Sequence, residues 1–177
     1  RLGLMLMDSG KGSLKVREAR DYAEICLIQC IANTPKKRGA MAMNAVTMYI
    51  VTGCQQKKDI ALTQESTRVL LELLKKFSAF LNPQQRDAVQ KCLWDQTSSA
   101  DEAILSNLPQ AIGHLAAFCD SNATDKIVRQ LQSGLNKAYE KANLADMELQ
   151  LRILRSVAVH APNFGKFIVA FSDLLLK

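Results

Sequence analysis

A three-position apolar rung recurs about once every forty residues of this chain, and it constrains the fold more than any other feature. It reads Leu70/Leu73/Phe77, then Ile112/Leu115/Cys119, then Leu151/Leu154/Ala158, at offsets of 42 and 39 residues. An i, i+3, i+7 spacing puts three side chains on one face of an α-helix. A rung returning at this interval predicts helical hairpins stacked on one another, since a single hairpin cannot bury its own apolar face. Four prolines, eight glycines and 6% aromatic residues also favour helix over sheet, and no strand pair is predicted.

Punctuation divides the chain into helices. The first is predicted over 14–32, where Ile25-Cys26-Leu27-Ile28 is apolar on all sides and should sit centrally. Asn33-Thr34-Pro35 ends it, because a residue preceding proline resists helical geometry. A second helix follows over 40–56, rich in Met41, Met43 and Met48. A third starts near Thr63. Asn82-Pro83 opens a fourth, with the cap followed by proline at the first helical position. Ser99 and Glu102 form a capping-box pattern for a fifth, which Pro109 should break or kink, Asn107 capping the second part. The sixth, over 124–142, carries the stripe Ile127, Leu131, Leu135 and Ala138. The seventh, over 145–160, stops before Pro162, and the eighth uses Phe164, Phe167, Ile168, Phe171 and Leu175 to close the core. Leu131 and Leu154 are predicted core residues. The short connections imply antiparallel neighbours.

At 177 residues with 48% apolar and 23% charged content, the chain can bury a real core. It opens on Arg1, the expectation for a segment of a longer protein. The net charge of +6 suits an acidic protein surface, RNA or a phospholipid headgroup, though acidic residues are interspersed almost everywhere. Five cysteines at apolar helical positions read as reduced, buried thiols, which points to cytoplasm or nucleus. No apolar run is long enough for a membrane span.

The stretch Asp146-Met147-Glu148-Leu149-Gln150-Leu151-Arg152-Ile153-Leu154-Arg155-Ser156-Val157-Ala158 resembles an armadillo-repeat helix. Lys15-Val16-Arg17-Glu18-Ala19 and Lys126-Ile127-Val128-Arg129 resemble the Val-Arg step of HEAT helices. This resemblance covers most of the chain. It implies an all-α, right-handed superhelix of antiparallel helical hairpins, an armadillo/HEAT-like α-solenoid of about eight helices forming one domain over 1–177. A closed helical bundle is the alternative. The resemblance further implies a non-enzymatic platform, a scaffold or adaptor that binds a protein segment along one helical face. The regular Trp and Asn ladder of importin-like armadillo proteins is missing, and the single Trp94 argues against that subtype.

Chemistry-bearing candidates are few. Ser9-Gly10-Lys11-Gly12-Ser13 lacks the glycine and hydroxyl spacing of a phosphate loop. Cys26 and Cys30 lie one turn apart, but a structural zinc needs four ligands. His114 and His160 stand far apart in sequence and read as packed or helix-end residues. No catalytic residue, metal or small-molecule cofactor is expected. The candidate binding residues are Lys36, Lys37 and Arg38 in the loop after the first helix, with Arg129 and Lys137 on the polar face of the sixth. Arg17, Arg20, Lys57, Lys58, Lys75 and Lys76 would extend the basic loop into a patch if neighbouring repeats align. A protein partner is the first expectation. RNA contact through the basic loops is the alternative, weakened because Tyr22 and Tyr49, the nearest stacking groups, read as buried.

Overall fold

The computed structural model describes residues 14–56 and 58–175, and it is all-α, with no strand among them. The Leu2–Met7 stretch, the Ser9–Ser13 loop and Lys57 lie outside the described residues. Among the described residues there are eight α-helices: α1 Leu14–Asn33, α2 Gly39–Cys54, α3 Ile60–Phe77, α4 Pro83–Gln96, α5 Glu102–Ala116, α6 Ser121–Glu140, α7 Leu144–His160 and α8 Ile168–Leu175. They form antiparallel helical hairpins, the architecture of a helical repeat. The rungs fall on α3, α5 and α7, except that Cys119, the last position of the second, lies beyond the end of α5. The chain divides into two compact units between Asn107 and Leu108, inside α5.

In the first unit α3 is the centre, packed by both α1 and α2, while α2 also packs on α4. The first rung behaves as predicted, with Leu70, Leu73 and Phe77 all fully buried. Helix α3 begins three residues earlier than expected. Its cap is Asp59, whose carboxylate accepts the Leu62 N–H at 3.0 Å. Thr63 instead sits inside the first turn, its hydroxyl donating to the Gln56 and Asp59 carbonyls. The Asn82 cap of α4 is as predicted. A full capping box with Gln85 forms there, and Gln85 Nε2 also reaches the Met43 carbonyl and Asn44 Oδ1.

Helix α1 corrects two expectations. From Glu18 onward it buries the face made by Ala23, Leu27 and Ile31, together with Arg20 and Glu24. Ile25 is exposed, and so are Cys26 and Cys30, which are not buried thiols. The reason is that α1 has one extensive partner among the described helices, α3, which covers a single face.

Helix α5 corrects two more. Its cap is Asp101, which accepts the Ile104 N–H at 3.0 Å, while Ser99 supports the Asp101 N–H. The helix runs unbroken through Pro109, and Asn107 caps nothing, its Nδ2 donating to the Ala103 carbonyl at 2.8 Å. Proline costs a helix interior about 3 kcal/mol. Here Leu108, Ala111, Ile112 and Leu115 are buried around it, and that packing offsets the lost hydrogen bond.

In the second unit α6 packs on α7. The stripe Ile127, Leu131, Leu135 and Ala138 is buried as predicted. Between the two helices Ala142 takes φ 50°, and the Asn143 N–H returns to the Ala138 carbonyl at 2.9 Å. That is a Schellman ending with alanine where glycine is favoured.

The third rung is rotated. Leu154 is buried, but Leu151 is 39% exposed and Ala158 is exposed. The buried face of α7 is Leu149, Gln150, Ile153, Leu154 and Val157. A polar residue, Gln150, occupies the first position of the true rung and packs against Gly134, so an apolar search slips by one residue. After α7, a 3-10 turn at Phe164–Phe167 leads into α8. Phe164 and Phe171 stack with centroids 6.0 Å apart, whereas Ile168 is exposed.

Candidate functional site

The basic residues Lys36, Lys37 and Arg38 form a 3-10 turn leading directly into α2, and all three are exposed. None forms an ion pair among the described residues. The turn is held from beneath. Gly39 lies so close to Phe80 that a Cβ there would overlap the ring, and Phe80 in turn meets Phe77 edge to face at 6.3 Å. The three cations therefore project from a seated turn, not from a free loop.

Helix α2 continues from this turn with no charged residue over its full length. Met43, Thr47, Ile50 and Val51 are buried on one side. On the other, Met41 is 67% exposed and Met48 and Tyr49 are each 46% exposed. Residues 41, 45, 48, 49 and 52 share one face, by the i, i+4, i+7, i+8, i+11 pattern. Sequence reasoning missed this surface, because a helix apolar on both faces reads as wholly buried. The available signal was 16 residues without a charge immediately after three cations.

The predicted extension of the basic patch does not form as expected. Arg20 is buried, its guanidinium bonded to both Asp59 oxygens at 3.0 and 3.1 Å and 3.7 Å from Glu65. Lys75 pairs with Glu72 at 2.6 Å. Lys76 Nζ donates to the Ile31 carbonyl at 2.9 Å and to that of Ala32, closing the C-terminus of α1. Lys58 is exposed at the other end of α2. Arg129 and Lys137 lie on the exposed face of α6 in the second unit, and Arg129 pairs with Asp125 at 2.7 Å. Tyr22 and Tyr49 are exposed, contrary to the sequence reading, since each stands one turn-face away from the buried side of its helix.

The remaining chemical groups are engaged in packing. A cavity of about 620 Å³ opens in the first unit between the ends of α2 and α4 and the start of α3, lined in part by Cys54, Cys92, Ile60 and Gln96. Burial pushes the Cys54 thiol well up, and the adjacent Cys92 adds to the shift. A protonated thiol is a poor nucleophile. Gln96 Nε2 ties the wall together by donating to the Cys54 carbonyl at 3.1 Å and to Thr67 Oγ1 at 2.9 Å. In the second unit the structure brings His114 and His160 together, ring centroids 4.5 Å apart and edge to face. His160 Nδ1 donates to the Ser156 carbonyl at 2.8 Å. Gly113 makes room for this, since a Cβ there would overlap Ser156 Oγ. Among the described residues no group of three or more His, Cys, Asp or Glu is placed to hold a metal ion. No helix among them is long and apolar enough to cross a membrane.

A second apolar surface lies in the second unit. Leu151, Leu154 and Ala158 of the rotated rung, with Phe164, Ile168 and Phe171, line a groove of about 310 Å³. The third rung is thus open where the first two are closed.

No family model matches the sequence. Over 147 residues, 81% of this chain, the sequence is 27% identical to cullin-associated NEDD8-dissociated protein 1 of Drosophila melanogaster. The chain spans 11% of that protein's length.

Proposed function

We propose that the chain is a non-enzymatic protein-interaction module, a run of armadillo/HEAT-type hairpins within a longer scaffold or adaptor of the cytoplasm or nucleus. The observation that carries this reading is the open face of α2, with large apolar side chains along it and, at its start, three cations that form no ion pair among the described residues. Such a surface offers area and charge to a folded or helical segment. The likeness to a cullin-associated protein supports a protein as the partner, and a cullin is the first to try. Lys36, Lys37 and Arg38 are the binding residues of this reading. Arg129 and Lys137 belong to a separate, polar face that sets specificity.

RNA is the second reading, and the exposed Tyr49, on the helix that the basic turn opens, is the observation in its favour. The charge-free length of α2 counts against it, because a nucleic-acid path needs cations at successive phosphates. The chain immobilised and exposed to lysate, with and without nuclease, separates the two, followed by titration with a purified cullin. Retention of a protein after nuclease supports the module, and a purified partner that binds directly identifies it. Loss of every partner with nuclease moves RNA to first place.

A further inference from the structure

We propose that the exposed face of α2 and the basic turn before it form a docking site for an acidic amphipathic helix of a partner protein. This rests on the interaction-module reading and adds the chemistry of the partner. From Met41 to Thr52 the face runs roughly 16 Å, about three turns of an opposing helix. Met41 and Met48 are unbranched and adapt to the shape of apolar side chains set against them. Tyr49 is a rigid anchor with a polar tip, the type of residue that dominates interface energies.

Charge then fixes the occupant. A carboxylate laid along α2 meets no cation of that helix, whereas one laid at its start meets the three cations Lys36, Lys37 and Arg38. The first turn of α2 holds no acidic residue and no side-chain cap, so the positive end of the helix dipole adds to the same sign. A matching segment has apolar residues at i, i+3 or i+4, and i+7, with its acidic residues gathered at one end. A uniformly acidic segment, or a nucleic-acid backbone, places most of its charge over uncharged surface.

The test is selection of helical peptides from a displayed random library on the intact 177-residue chain, with the winners measured by fluorescence anisotropy. Winners should carry an apolar face and an acidic end. Their affinity should fall at least about tenfold in Lys36→Glu/Lys37→Glu/Arg38→Glu and in Met48→Ala/Tyr49→Ala. Lys126→Glu/Lys166→Glu, at two exposed cations that have no part in the site, should change it less than about twofold. Helicity and melting of each variant are checked by circular dichroism, so that loss of binding is read only in folded protein. Winners without acidic residues, or equal affinity for all variants, overturn this site while leaving the interaction module standing. Failure to select any peptide, with polyuridine bound instead and released by the triple reversal, overturns both.

Discussion

The α1–α3 interface of the first unit and the α6–α7 interface of the second join helices of the same kind by opposite chemistry. Helices α6 and α7 pack together and bury mainly aliphatic side chains, Ile127, Leu131 and Leu135 on one and Leu149, Ile153 and Val157 on the other, with Gln150 set on Gly134. Helices α1 and α3 meet partly through buried ions. Arg20 holds Asp59 and approaches Glu65, and Glu24 accepts two bonds from Arg68 at 2.6 and 2.7 Å. An aliphatic seam tolerates small shifts in register. A bidentate ion pair fixes geometry, but it becomes a liability when one partner is removed, because a buried charge is then left uncompensated. The ionic seam is thus the more brittle of the two.

Arg20→Ala should therefore produce the largest loss above pH 7, about 3–5 kcal/mol, by leaving the ionised, buried Glu65 without its counter-charge. Hydrogen exchange should show lost protection in α1 and α3, and unchanged α1 protection would mean the ions contribute little. Leu131→Ala, which opens a cavity in the aliphatic seam, should cost about 2–5 kcal/mol, with the lost protection in α6 and α7. A cost below about 0.5 kcal/mol would place Leu131 off the core face.

The ionic seam should also be the one that senses pH. Burial is the main cause that raises the Glu65 carboxyl to about 7, with Glu24 and Asp21 adding to the rise and Arg20 opposing it. A carboxyl whose folded pKa exceeds its unfolded value stabilises fully below the unfolded value, near 4.5, and that contribution is lost as pH rises through 7. The loss should be on the order of 2 kcal/mol across that window, measured by urea melts. Glu65→Gln should flatten the profile between those limits, and an unchanged slope would assign it elsewhere. Asp59 acts in the opposite sense and in a lower window. Burial pushes its carboxyl up, but the Leu62 N–H and Arg20 more than offset this and hold it below the usual range. Its stabilisation is present above pH 3.8 and is lost as pH falls.

The smallest effect should come from the turn between α6 and α7. Ala142→Gly relieves a left-handed backbone, and the second unit should gain about 1 kcal/mol. A loss of stability would mean that the added freedom of the unfolded chain outweighs the relieved strain.

Local rules, which depend on neighbours within a turn or two, were legible in the chain itself. The all-α class, the first rung on α3, the Asn82 capping box and the α6 stripe all follow from spacing and from residues that satisfy nearby backbone groups. The Lys36–Arg38 turn was also visible, as charge between two apolar runs. Tertiary contact decided the rest. Asp59 displaced Thr63 as the cap of α3, and Arg20 turned from a surface cation into a buried link, because the two meet across 39 residues of sequence. Pro109 stays within a helix because the surrounding core outweighs one lost hydrogen bond. Met41, Met48 and Tyr49 became surface because α2 has two extensive partners among the described helices, and composition alone cannot count partners.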